Sequence, residues 1–177
     1  TTEGISPSEN APSSPSLGYL ARLCPLKGLD ILVDSFIELK DSGNHDNLSL
    51  KIAGGMTDED EPFVEEQRSK LSRAGLDKYF SISPNISREE KLEFLKNLTV
   101  FSVPARYPEA FGLYVVEAML AGTPVVLPDS GAFPEIIDST KEGKLYDPSI
   151  YGKLTETLDD MLSEQQGARD VGIQAHK

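Results

Sequence analysis

Short apolar runs alternate with stretches of helical period along almost the whole chain. Residues 17–23, 48–53, 79–82, 100–103, 124–127 and 144–146 read as strands, each bounded by Gly, Pro or polar turns. Between the first two, Leu29, Leu32, Val33, Phe36 and Ile37 recur at the spacing of one helical face, opened by Lys27-Gly28 and followed by Gly43. Residues 61–73 read as a polar helix ending near Gly75, and Ser87-Arg88-Glu89-Glu90 has the form of a capping box leading a helix with Leu92 and Leu95 inward. A short helix is expected over 134–137 and helical segments after Pro148. Strands alternating with helices predict an α/β domain, a doubly wound Rossmann-like parallel sheet flanked by helices. Residues 1–15, TTEGISPSENAPSSP, carry no hydrophobic pattern and read as a linker or flexible arm, leaving 16–177 as the domain.

Composition narrows the partners. The formal net charge of -12 and the lack of any Lys/Arg run argue against nucleic acid, whose phosphates demand a basic face. Any phosphate site must therefore be local. No apolar stretch approaches the roughly 18 residues needed to span a bilayer and no signal peptide is evident, so a soluble chain is expected. Cys24 is the only cysteine, which excludes an internal disulfide, makes a cytoplasmic setting the expectation and leaves Cys24 as a small packed residue. His45, in the polar GNHDN loop, and His176, at the chain end, have no partner in the sequence and read as surface histidines. Asp58, Glu59, Asp60 and Glu61 read as solvated helix-start acids rather than a metal site, since a first helical turn favours negative charge.

The chemistry concentrates in residues 109–124, EAFGLYVVEAMLAGTP. Phe111, Gly112 and Leu113 fall at a helix start, where backbone N–H groups lack intrahelical partners and the macrodipole favours an anion such as a diphosphate. Gly112 permits close approach of a ligand to the backbone. Glu117 stands inside an apolar stripe, and because helical side chains tilt toward the N-terminus its carboxylate can lean toward the same anion. Two carboxylate oxygens suit a pair of sugar hydroxyls, so Glu117 and Glu109 are candidate sugar-binding groups. Upstream, Arg22 and Lys27 flank the loop after the first strand, and Gly54 and Gly55 end the second, where loops gather at the carboxyl edge of an open sheet.

In combination these motifs resemble the C-terminal domain of GT-B glycosyltransferases, in the group 1, family 4 type marked by a Glu-x7-Glu element. The resemblance covers about residues 16–176 through GYLARLCPLKG, LSLKIAGG, EEKLEFLKNLTVFSVPARYPE, the Glu-x7-Glu helix, PVVLPDSGAFPEII and ARDVGIQAHK. It implies a donor-binding domain of a retaining enzyme that moves a sugar from a nucleoside-diphosphate sugar, UDP- or GDP-linked, to a glycan, lipid or small-molecule acceptor. Arg22 and Lys27 would contact the diphosphate, Glu109 the sugar and Glu117 the ribose; Phe111, Gly112, Leu113, Gly54, Gly55 and Ile86 would complete the nucleotide site. The resemblance further implies no metal requirement, no cofactor, and a preceding acceptor-binding domain without which transfer is expected to be slight. Any membrane association would come through that other half. Around Ser83-Pro84-Asn85-Ile86 a glycine usual in the family is replaced, which leaves the base open. Glu135 matches an acidic position expected to support the site indirectly, and Arg106 and Tyr107 border it. A starch, sucrose or trehalose-phosphate synthase-like enzyme and a non-catalytic nucleotide-binding module remain alternatives.

Overall fold

The computed structural model describes residues 14–140 and 143–175, with side chains described as far as residue 165. Most of the expected arm, residues 1–13, and His176 lie outside the described residues. The chain enters the sheet as soon as it is described, for the Ser49 N–H donates to the Pro15 carbonyl at 3.1 Å.

Six strands form one parallel sheet: β1 (Ser16–Leu20), β2 (Ser49–Gly54), β3 (Phe80–Pro84), β4 (Val100–Ser102), β5 (Val125–Pro128) and β6 (Gly143–Tyr146). Their order is β3-β2-β1-β4-β5-β6, so the chain builds one half outward from β1, crosses over, and builds the other half outward from β4. Every residue of β1 and β5 is buried, as strands covered by helices on both faces must be. Their apolar runs are accordingly continuous rather than alternating.

Among the described residues six α-helices connect and cover the strands: α1 (Leu29–Asp41), α2 (Glu61–Arg73), α3 (Arg88–Lys96), α4 (Leu113–Leu120), α5 (Phe133–Thr140) and α6 (Lys153–Ala175). α1 packs against α2 and α6, and α3 against α4. The stripe on α1 goes inward as expected, with Leu29, Leu32, Val33 and Phe36 fully buried. The capping box is present at α3, where Ser87 Oγ accepts from the Glu90 N–H and Glu90 Oε2 from the Ser87 N–H. On that helix Leu95 is buried, but Phe94 rather than Leu92 joins the core. A one-turn 3-10 helix over Pro25–Lys27 precedes α1, so α1 begins after Gly28 rather than at Lys27.

Candidate active site at the crossover

A reversal of strand order between β1 and β4 opens a crevice above the carboxyl ends of these strands, where open α/β sheets place their ligands. The loops after β1 and β4 form its walls. They are tied to each other: the Arg106 N–H donates to the Leu26 carbonyl at 2.9 Å, and the Arg106 guanidinium meets the Asp30 carboxylate at 2.7 and 2.6 Å. Burial alone would push Asp30 up, but Arg106 outweighs it and holds the carboxyl below its ordinary range.

Lys27 reaches across this crevice to Glu109, meeting its Oε1. Both side chains are largely enclosed, at 17% and 11% exposure. The ammonium lies 4.8 Å from the Tyr107 ring centre and 5.3 Å from that of Tyr114, within cation–π range of both. Burial opposes the Lys27 charge, yet the Glu109 and Tyr107 contacts prevail and its pKa is raised. The same Glu109 oxygen accepts the Tyr114 hydroxyl at 2.8 Å. Glu109 is also fixed by its backbone, since its carbonyl accepts the Ala132 N–H from the loop after β5 at 2.8 Å.

Below Glu109, α4 starts on Gly112 at φ 54°, with no side chain capping the helix. No side chain therefore competes for the amides at its start. Phe111 and Leu113 on either side are 78% and 68% exposed. Their side chains leave the core; their backbone carries the interest.

Arg22 takes another direction from the same loop. It pairs with Asp60, Nε to Oδ2 and Nη2 to Oδ1, both at 3.2 Å. Asp60 is not a solvated helix-start acid: it is 6% exposed, and its Oδ2 also accepts the Thr57 N–H and hydroxyl at 3.0 and 2.8 Å. Those Thr57 bonds, then Arg22, hold the Asp60 carboxyl below the usual range. Charge count alone had hidden it among three neighbouring acids; the local signal was a Thr-x-x-Asp turn.

Glu117 leans toward α3, where Lys91 Nζ lies 2.5 Å from its Oε2. Its partner in the structure is thus Lys91, separate from the Lys27–Glu109 pair. Gly54 ends β2 at φ 144°, and a Cβ there would stand 1.7 Å from the Ala21 carbonyl oxygen, so only glycine allows the β1 and β2 ends to approach. The Gly55 carbonyl accepts the Leu23 N–H at 2.8 Å, stitching the same two loops. Ile86 is half-buried against the core.

The departure at 83–85 has a structural explanation. Asn85 adopts φ 55°, the left-handed region that glycine favours and asparagine tolerates. Its side chain accepts the Met56 N–H at 2.9 Å and donates to the Met56 carbonyl at 3.0 Å, clamping the β3 loop to the β2 loop. One expectation away from the crevice needs correction. His45 is not an isolated surface residue: its Nε2 is 2.5 Å from Asp159 on α6 and its side chain only 11% exposed. Cys24, expected as a small packed residue, is half-buried at the start of the 3-10 turn. Glu135 stands exposed in the first turn of α5.

Over residues 3–177 the chain matches the family model described as glycosyl transferases group 1. The chain belongs to that family. The group 1 domain is 31% identical over 158 residues to a D-inositol 3-phosphate glycosyltransferase of Corynebacterium jeikeium, covering 85% of this chain and 37% of that protein. It is 28% identical over 165 residues to a GDP-mannose-dependent alpha-(1-6)-phosphatidylinositol monomannoside mannosyltransferase of Mycolicibacterium smegmatis, covering 90% and 41%. The chain thus spans well under half the length of these relatives. Among solved structures it resembles the C-terminal domain of the group 1 family protein LpcC from Francisella tularensis, with TM-score 0.78, 25% identity and coverage of 92% and 87%. The fold is also that of Anabaena HepE in complex with UDP and glucose, at TM-score 0.75, 23% identity and coverage of 86% and 40%. The α/β class and the GT-B C-terminal topology expected from the sequence are therefore established for this group 1 domain.

Proposed function

We propose that this group 1 domain binds the nucleotide sugar in a retaining, metal-independent hexosyl transfer, and that the remainder of the parent enzyme supplies the acceptor wall of the cleft. The observation that carries the reading is the enclosed Lys27–Glu109 pair set beside the uncapped start of α4 at the crossover. As the bond from the anomeric carbon to the leaving diphosphate breaks, negative charge gathers on the phosphate oxygens. Lys27 and the amides of Phe111, Gly112 and Leu113 meet that charge, and Arg22 joins them by turning its exposed guanidinium from Asp60. One such preorganised donor contributes on the order of 3 kcal/mol to lowering a barrier. For Lys27 to reach the diphosphate it must leave Glu109 Oε1, which releases the carboxylate from its ion pair and leaves it to accept a sugar hydroxyl. Glu117, oriented by Lys91, accepts from the ribose, while Gly54, Gly55 and Ile86 border the base. Retention follows if the acceptor enters on the face the diphosphate leaves. The curated relatives named above act on inositol phosphate or a phosphatidylinositol mannoside, so a polyol or glycolipid acceptor is the class to try first with the full-length enzyme.

Calorimetric titration of the domain with UDP, GDP and ADP tests the reading. Saturable binding of one nucleotide, weakened in Lys27→Ala and Glu117→Ala, is expected and names the base. Failure of all three to bind either this domain or the parent enzyme would overturn it. The domain alone is expected to transfer little, so turnover of a nucleotide sugar at about 1 per second without the rest of the enzyme would refute the assignment of the acceptor wall.

A further inference from the structure

We infer that Tyr114 is a positioning residue for Glu109, its hydroxyl fixing one carboxylate oxygen so that the other is presented to the sugar; this rests on the reading of the crevice given above. Tyr114 is the second residue of α4 and half-buried. Its ring packs at 6.3 Å and 51° against Phe101 of β4, which is fully buried and cannot yield. The ring is therefore anchored from behind, and the hydroxyl meets Glu109 Oε1 at 2.8 Å.

Two donors converge on that oxygen, Lys27 and Tyr114. They are not equivalent. The Lys27 ammonium ends a flexible stem and is the group that a diphosphate would draw away. Tyr114 has two side-chain torsions ahead of its ring, both constrained by the helix and by Phe101. Once Lys27 departs, Tyr114 is the contact that keeps the carboxyl plane from turning about its terminal torsion, which is intrinsically broad. Burial, and next the neighbouring Glu109, push the Tyr114 hydroxyl well above its ordinary pKa, so it remains a proton donor across the range in which proteins fold. An aromatic residue at this place would serve packing alone if its ring were the whole of its contribution. The hydroxyl, aimed at a largely enclosed carboxylate, is what packing does not require.

Tyr114→Phe separates the two roles, because it keeps the ring and the Phe101 contact and removes one oxygen. The domain would be titrated with UDP and UDP-glucose, and with GDP and GDP-mannose. The expected result is a nucleoside diphosphate affinity within twofold of the unsubstituted domain, with the matching nucleotide sugar weakened about tenfold, the scale of one hydrogen bond to a charged group. In a Glu109→Gln background the Tyr114→Phe change should add no further loss, since it acts through Glu109. Equal weakening of diphosphate and nucleotide sugar, or no weakening of either, would overturn the role of Tyr114 while leaving the nucleotide site standing. No binding of any of the four by either the unsubstituted domain or the parent enzyme would overturn both. Thermal unfolding of Tyr114→Phe within a few degrees of the parent separates a positioning loss from a folding one.

Discussion

Replacing Gly112 by Ala tests how tightly the start of α4 is built. Gly112 sits at φ 54° and ψ 45°. An L-residue forced into that region costs roughly 1–2 kcal/mol. The added Cβ would also stand 2.7 Å from Cε1 of Phe133. Phe133 is fully buried, so its ring has no open side to move into. Bringing the pair to an ordinary 3.4 Å contact requires a shift of about 0.7 Å, the difference between the two distances. Overpacking of this kind costs about 1–3 kcal/mol, for a sum of about 2–5 kcal/mol. Gly43 supplies the control, because its φ is 75° but a Cβ there meets nothing within 4 Å. Gly43→Ala should therefore cost only the backbone part, about 1–2 kcal/mol. With a urea slope of roughly 2 kcal/mol per M, the midpoint should fall by about 1–2.5 M for Gly112→Ala and by about 0.5–1 M for Gly43→Ala. Nucleotide affinity should drop in the first and stay level in the second, since only the first moves the amides at the crevice. Equal midpoints for the two variants would refute the account of Gly112. So would a Phe133→Leu change that fails to restore part of the loss in the Gly112→Ala background.

Asn85→Gly should be mild, keeping the backbone conformation while losing the two Met56 bonds, whereas Asn85→Ala should lose both and be less stable than Asn85→Gly by about 1 kcal/mol; equal urea midpoints would contradict the argument. Phe111→Ala should change stability by less than about 0.5 kcal/mol and nucleotide affinity by less than about twofold, because the side chain is exposed and the amide is kept; calorimetry and urea unfolding check both. Asp30, Asp60, Glu90 and Asp147 are all held below their ordinary pKa values, the last two by Ser87 and Ser149. Unfolding releases them to take up protons more readily, so their stabilising contribution is whole above the unfolded values near pH 4 and disappears as pH falls through the folded ones. The urea midpoint should hold between about pH 7 and 5 and drop steeply below about pH 4; a midpoint that rises on acidification would reverse the sign and refute it.

Local chemistry made much of the fold legible. The polar helix over 61–73, the capping box at Ser87 and the apolar stripe of α1 each rest on residues close in sequence, and each is found where the pattern puts it. The site was legible only as a set of candidates. That Arg22 would turn to Asp60 and Lys27 to Glu109 depends on loops brought together by the β1–β4 crossover, and periodicity carries nothing about which way a long cation turns. His45 and Asp159 are separated by 114 positions, so their pairing had no local trace. Tyr114 went unnoticed because it lies within an apolar stretch, where an aromatic reads as packing. Asn85 shows the reverse: an apparent departure from a motif preserves the backbone geometry that the motif's glycine serves.

The brevity of β4 has a mechanical consequence. β1, β2 and β3 are matched over their full lengths, from Ser16 opposite Ser49 through Gly54 opposite Pro84. β4 joins β1 only at Leu17–Val100 and Gly18–Phe101, and β5 only at Phe101–Val125 and Ser102–Val126. The sheet is thus two broader plates hinged on a narrow seam, and the crevice lies along that seam. Lys27, after β1, and Glu109, after β4, clasp it from its two walls, as the Arg106–Asp30 pair does beside them. A ligand seated there acts as a rivet as well as a cargo, and amide exchange across β4 is where its tightening would be felt first.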